Sequence, residues 1–599
     1  MNTILGELGK SQKFVTLINQ IEKEKSSIML SGLTDVGMVE LLTSINEYSK
    51  RPILIVTYNE IQAKEILENI KTFTDKGYMF PKKEIVTYDY IAESKDLPYE
   101  RIELLNKIKE KRKPIIVTTI EALTQKLPPK DVLYKNILHF KIGDIYSLDE
   151  IKKKLVNLGY VRCDLIEGRG QFSIRGGILD ISISEKIGVR IEFWGDEVDS
   201  IRNFAIISQR SINTLDKVEI YPAHEYILER PIEDVCKEIR KQIVTDKQEE
   251  ITEEDIEQII AGNYISKIDK YFDCFYSKTE TLLDYISDKY IIALDEERKI
   301  EQRTINMKQD RENLINSLIE KEKIVPQALE NIAEYEEIEE FLETKKHNVL
   351  YLEKQDSVTN KQAEKYIFQY REVNYYKSEI ENLFQELKTA LKQKKSIYIL
   401  VETKEKAKKL KEILEQEEII CKIEEKLDKT IVVKTAEKIV TIAVGKLSAG
   451  FENYEINQLV ISADELVSGE KKKRKAVHSA YAEGEKVVFA DLKVGDYVVH
   501  RTYGIGIYIG VNTIKADGTV KDYIKIKYQN DDILYVPTNQ MDMIRKYVWG
   551  DKIQPKLNKL GSKDWENTKN RVKKNLREVA RELIELYAKR YTMAEWVWK

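Results

Sequence analysis

The sequence predicts a multidomain chain of mixed α/β and α+β character, closing in an all-β module and one long helix. Three observations carry this. Over 1–130 and again over 345–470, short β-rich runs alternate with amphipathic helical stretches, the pattern of parallel sheets covered by helices. Residues 131–215 hold long strand-like segments behind a single helix. Residues 488–546 hold only short strands separated by Gly, Asn and Asp turns, which suggests a small twisted barrel.

The elements follow in order. SSIMLSG and PILIVTY are β-rich, and NEIQAKEILENIKTF repeats apolar residues at helical spacing through Ile61, Ile66, Ile70 and Phe73. EIVTYDY, ERIELLNKIKEKRK and PIIVTTI continue the alternation up to Pro128-Pro129. In 131–215 the helix LDEIKKKLVNLGY precedes two strands, GQFSIRGGILDISI and VRIEFWGDEVDSI. Gly176 and Gly177 interrupt the first and suggest a bulge. Residues 216–340 read as long, charged and helical. NVLYL, SIYILV, TIVVKT and QLVISA supply the strands of the second α/β unit. The basic run from Lys471 to Lys475 opens a linker, 471–487, that reads as a solvated tether. From 547 to the end, a helix is expected with the stripe Trp565, Val572, Leu576, Val579, Leu583 and Tyr587.

Composition narrows the function classes. The chain has 599 residues and a net charge of −4, from 98 basic and 102 acidic side chains. That balance argues against a surface that coats nucleic acid throughout. Four scattered cysteines and five scattered histidines show no metal-ligand spacing, so no metal site is expected, and the thiols are expected to be reduced. No signal peptide and no apolar run of about 18 residues is found, so a cytoplasmic protein without membrane contact is expected.

The segment SGLTDVGMVELL, 31–42, has the frame of a phosphate-binding loop. Gly32 and Gly37 stand at G-x-x-x-x-G spacing between a strand and a helix. A working loop follows with Lys, which meets the β/γ-phosphates, and Ser or Thr, which holds Mg²⁺. Here the positions are Met38 and Val39, and Asp35 adds negative charge to the turn. Nucleotide binding is therefore not expected. IIALDEER, 291–298, imitates the acidic half of such a site, but it reads as a strand end with solvated acids. The glycines of GIGIYIG, 504–510, read as turns of the barrel.

Two patches remain. Arg175 lies on one strand, and Arg190 shares a face of the next with Glu192 and Trp194 by alternation. Arg and Trp dominate protein–protein hot spots, yet a pair of surface arginines beside a half-buried Trp explains the same residues. Ile514, read on a polar connection between strands, is either an edge contact for a partner sheet or a plain hairpin residue.

Taken together, GYVRCDLIEGRGQFSIRGGILDI, VRIEFWGDEVDSI, LKVGDYVVHRTYGIGIYIG, KIKYQNDDILYVP and LGSKDWENTKNRVKKNLREVARELIELYAKR resemble the bacterial transcription-repair coupling factors over nearly the whole chain. The resemblance implies a UvrB-like helicase-type platform in two parts, 1–130 and 216–340, with an inserted UvrA-binding domain at 131–215. It further implies an α/β domain of unassigned role at 345–470, an RNA polymerase-interacting Tudor-like barrel at 488–546, and a linking helix at 547–599. The family's UvrA contacts fall on Arg175 and Arg190, with Phe193 or Trp194 as the aromatic. Its contact to the RNA polymerase β subunit falls on Ile514. One departure is Ser182-Ile183-Ser184, where the family commonly has Phe-Pro.

In that family the first domain keeps the nucleotide frame with a degenerate site, which Gly32, Gly37, Met38 and Val39 match. Family members use ATP and Mg²⁺ in helicase-type lobes beyond this region and engage DNA there. This sequence stops at YTMAEWVWK, so the expectation is a chain that neither hydrolyses ATP nor moves on DNA, with its UvrA-binding face uncovered. The alternatives are an active UvrB-like ATPase or helicase, and a transcription regulator that uses the barrel alone.

Overall fold

In a computed structural model, the strand–helix alternation of the first 130 residues forms part of a parallel sheet whose other strands come from far along the chain. Residues 3–23, 25–83, 96–109, 113–184, 186–227, 229–260, 268–320, 332–344, 347–354, 363–373, 380–424, 439–463, 495–500, 503–516, 519–529, 532–537, 544–546 and 557–559 are described. The chain divides into two compact units, 1–469 and 470–599.

The first sheet of the larger unit has seven strands. Their order is Glu364–Ile367, Ser27–Ser31, Asn348–Glu353, Ile291–Asp295, Ile53–Thr57, Ile115–Thr119 and Gly77–Phe80. Every neighbouring pair is parallel. Ile53–Thr57, Ile115–Thr119 and Ile291–Asp295 are buried along their whole length, as strands covered on both faces must be. Asn348–Glu353 and Glu364–Ile367 flank Ser27–Ser31 in this sheet, so the expected second α/β unit does not begin at 345. Pairing between strands so distant in sequence leaves no local mark, which is why the strand–helix alternation assigns them to the later unit.

The second sheet runs Tyr370–Glu372, Phe451–Asn453, Gln458–Ser462, Ser396–Val401, Val440–Val444 and Cys421–Glu424, with its first two pairs antiparallel and the other three parallel. One continuous core spans both sheets. It packs Met38, Val39 and Leu42 with Tyr366, Phe368, Tyr398, Leu400, Phe451 and Val460. Buried polar bonds also cross it. Asn69 and Ser448 exchange two hydrogen bonds, of 3.0 and 2.7 Å, and Tyr370 Oη donates to Glu40 Oε2 at 2.8 Å.

Between the segments of the first sheet lies a six-stranded sheet ordered Ser211–Leu215, Glu197–Ala205, Ile187–Trp194, Ile178–Ser182, Gln171–Arg175 and Val161–Arg162. It is antiparallel except at its last pair. The helix Leu148–Asn157 covers one face with Ile151 and Leu155 against Phe172, Leu179 and Ile191. The stretch read as one strand with a bulge is a hairpin: Gly176 and Gly177 form the turn, with Gly176 at φ +60°. A Gly-Gly pair supplies the positive φ that a tight hairpin requires.

The smaller unit carries a five-stranded antiparallel sheet ordered Ile533–Pro537, Thr519–Lys527, Gly504–Ala516, Tyr497–His500 and Ile544–Lys546. Its core is Val498, Tyr508, Ile524, Ile526, Tyr528, Val536 and Ile544. Gly504, Gly506 and Gly510 lie inside a strand and not in turns. A Cβ on Gly506 would come within 2.5 Å of Ile526 Cγ2, so close packing of one strand on the next explains that glycine. The linker 471–487 and the helical stripe of Trp565 to Tyr587 lie outside the described residues. Among the described residues no helix is long and apolar enough to cross a membrane.

Candidate partner-binding surfaces and the phosphate-loop frame

Thr34 caps the helix Asp35–Ser49 by accepting from the Gly37 N–H at 3.0 Å. One of the backbone donors that a phosphate loop would aim at its anion is thus satisfied within the turn. Both glycines serve the protein's own packing. Gly32 has φ +72°, and a Cβ there would sit 2.1 Å from the Phe368 carbonyl oxygen. A Cβ on Gly37 would sit 2.4 Å from Tyr370 Cδ1. Met38 and Val39 point into the shared core and are buried.

A lysine does reach this turn, but from another strand end. Lys354 Nζ stands 2.8 Å from Asp35 Oδ1 and 3.6 Å from Glu296 Oε2. Burial works against its charge, but Asp35 and then Glu296 outweigh it and raise its pKa. Asp295 is 2% exposed and not solvated, which corrects the expectation for the acid pair. It ends a central strand of the first sheet and accepts from Thr57 Oγ1 at 2.9 Å. Burial pushes its carboxyl up to about 6. The assembly is an ion-paired cluster: the Lys354 ammonium between two carboxylates, Lys299 Nζ on the second of them at 2.5 Å, and a third acid held by a hydroxyl. Among the described residues no group of three or more His, Cys, Asp and Glu side chains is arranged to hold a metal ion.

The two arginines of the antiparallel sheet do come together, though not on adjacent strands. The strand Ile178–Ser182 lies between them and carries Asp180. Register places Ser173, Asp180, Arg190 and Arg202 in one row across four strands. Asp180 is 2% exposed and receives Arg175 Nη2 at 2.9 Å, Arg190 Nε at 2.7 Å and Arg190 Nη2 at 2.8 Å. The Arg190 guanidinium also lies 4.7 Å from the centre of the Phe204 ring. Glu192, in the next row, is engaged by Ser200 and Arg202, and those partners lower its pKa.

The two aromatics separate cleanly. Trp194 is 85% exposed at the end of its strand, whereas Phe193 is buried in the domain core. Ile207, 92% exposed, follows the Phe204 end of the neighbouring strand. Sequence reasoning missed Asp180, whose place between two arginines depends on the hairpin.

Ile514 stands within the strand Gly504–Ala516, opposite Lys521, and not on a connection between strands. That strand pairs with Tyr497–His500 only through Gly504–Ile507. Thr519–Lys527 pairs on its outer side only from Tyr523 onward. Among the described residues, the hairpin end around Ile514 is therefore paired on one side only, and it offers open sheet edges.

Comparison with known proteins adds to this geometry. The UvrB interaction domain family matches residues 138–226, which include the whole Arg175–Asp180–Arg190 cluster. The CarD-like/TRCF RID domain family matches residues 492–548, which include the strand bearing Ile514. Over 98% of its length the chain is a homologue of the transcription-repair-coupling factor of Bacillus subtilis (strain 168), with 29% identity across 51% of that protein. The factor of Staphylococcus aureus (strain Mu50 / ATCC 700699) is 29% identical over 99% of this chain and 51% of its own length. That of Staphylococcus epidermidis (strain ATCC 35984) is 30% identical over 94% of this chain and 49% of its own. The chain thus spans about half the length of the curated relatives it matches.

Proposed function

We propose that this chain is an adaptor of transcription-coupled nucleotide excision repair. It grips UvrA through the Arg175–Arg190 face, with Trp194 beside it, and the β subunit of RNA polymerase through the open hairpin at Ile514. The observation that carries the reading is the clamped arginine pair within the segment matched by the UvrB interaction domain. Clustered guanidinium groups beside an exposed Trp are what an acidic protein surface recognises.

The phosphate-loop frame serves in this reading as packing. Tyr370 and the Phe368 carbonyl occupy the space beside the glycines, and Lys354 is committed to Asp35 and Glu296. A UvrB-like ATPase would need that lysine or another cation free for phosphates. The test is a binding assay with purified UvrA and purified RNA polymerase. Arg175→Ala is expected to weaken capture of UvrA alone, and Ile514→Asp capture of polymerase alone. Wild-type protein that captures neither would overturn the proposal.

A further inference from the structure

We infer that Asp180 is a positioning residue for partner binding: it fixes both guanidinium groups so that Arg175 is the arm that touches the partner and Arg190 is the brace. This rests on the reading of that face as the UvrA-binding surface. The partner chemistry it fits is an exposed carboxylate cluster with an apolar rim for Trp194.

The argument starts from burial. A carboxylate held almost out of water in the middle of a sheet is costly unless its oxygens are filled. Those of Asp180 are filled by two arginines, one from each neighbouring strand. The division of donors between them is unequal. Arg190 turns its Nε and Nη2 side onto Asp180, reaches Gln209 Oε1 at 3.3 Å with Nη2, and lies over Phe204. Its side chain is 18% exposed. The fork that a planar carboxylate prefers is thus already used inside the protein. Arg175 gives Asp180 a single Nη2 bond, and its side chain is 50% exposed. Its Nε and Nη1 have no partner among the described contacts, and Nη2 carries a second N–H, so one two-donor edge that includes Nη2 stays available to a partner.

A tethered arginine also loses less rotamer freedom on binding than a free one, which favours affinity. Glu192 does not compete for Arg175, because Ser200 and Arg202 engage it.

Simple charge counting and the positioning role predict opposite signs for one substitution. Asp180→Asn removes a negative charge beside two positive ones. Charge alone predicts tighter binding to an acidic partner, whereas loss of the brace predicts weaker binding. Calorimetric titration of the full chain with purified UvrA reads the difference, with near-ultraviolet circular dichroism as the check of fold. Expected are a loss of roughly 30-fold for Arg175→Ala and about tenfold for Asp180→Asn. Adding Asp180→Asn to Arg175→Ala should change affinity by no more than about twofold, because coupled residues are not additive. Arg190→Lys keeps the charge and loses the fork, so it should weaken binding several-fold even if Asp180→Asn fails to fold. Unchanged or tighter binding by a folded Asp180→Asn variant, with Arg175→Ala still impaired, overturns the inference and leaves the UvrA reading intact. If Asp180→Asn does not fold, wild-type affinity in Arg190→Lys overturns it in the same way. Absence of wild-type binding removes both.

Discussion

Lys354 Nζ lies 2.8 Å from Asp35 Oδ1, at the first turn of the helix where a phosphate loop would place its ligand. The cation missing at position 38 is supplied from the end of the neighbouring strand Asn348–Glu353, and a carboxylate inside the turn neutralises it. Charge balance at this helix end is internal.

The first prediction follows. Mg-ATP should leave the thermal midpoint of the wild-type protein unchanged, because the Lys354 ammonium at this turn is committed to Asp35 and Glu296. Lys354→Met should also show no ATP response. Its stability cost should be small, up to about 1 kcal/mol, because both partners of the ion pair are more than a third exposed and solvent screens them. Thermal-shift titration checks both points, and a midpoint raised by Mg-ATP would contradict the vestigial reading.

Gly37 gives the second. In a working loop this glycine serves the nucleotide; here it makes room for the Tyr370 ring. Gly37→Ala should therefore destabilise a protein that carries no ligand, by about 1–3 kcal/mol, the usual cost of overpacking a close contact. Urea denaturation of the purified chain measures it. Gly37→Ala at wild-type stability would mean that the ring moves aside freely.

These contacts also mark where the sequence was legible. The βαβ alternation, the antiparallel segment and the all-β module could all be read from period and turn residues. The alternation rule also placed Arg190, Glu192 and Trp194 on one face. What could not be read is non-local. Nothing near Asp35 announces Lys354, and nothing near Gly37 announces Tyr370. The strands Asn348–Glu353 and Glu364–Ile367 flank Ser27–Ser31 only in three dimensions. The Gly176-Gly177 hairpin was within reach, since two glycines between β-rich runs are a hairpin signal. Reading it would have put Asp180 between the arginines.

The third prediction concerns Glu40, two residues beyond Met38. It is fully buried, accepts from Tyr370 Oη at 2.8 Å, and its Oε1 has no hydrogen-bond partner. Burial pushes its carboxyl up to about 8 from a usual 4.5. The folded protein therefore holds this proton more tightly than the unfolded chain does. The stabilising contribution is complete below about pH 4.5 and is lost as pH rises through about 8. Glu40→Gln keeps the shape without the titration, so it should gain on the wild type across that window, by about 4–5 kcal/mol. Urea midpoints between pH 5 and pH 9 would show it. Parallel curves for the two proteins would mean that Glu40 does not titrate there.

The last prediction concerns the smaller unit. Among the described residues, the strand Gly504–Ala516 is held on both sides only near its start, and its far end with Ile514 leans on Thr519–Lys527 alone. An open edge of this kind is a template for an added strand, where main-chain hydrogen bonds give affinity and alternate side chains give selectivity. Ile514→Ala keeps the edge and removes only apolar area, so the loss of RNA polymerase binding should be about tenfold or less. Ile514→Asp puts a charge on the edge, the device by which proteins prevent strand addition, and should cost clearly more. Neither variant should alter UvrA binding, because the arginine face belongs to the other compact unit. Biolayer interferometry with immobilised RNA polymerase and with immobilised UvrA separates the two. Equal losses for Ile514→Ala and Ile514→Asp would point to a side-chain pocket in place of edge pairing. Wild-type affinity in Ile514→Asp would remove the hairpin from the interface.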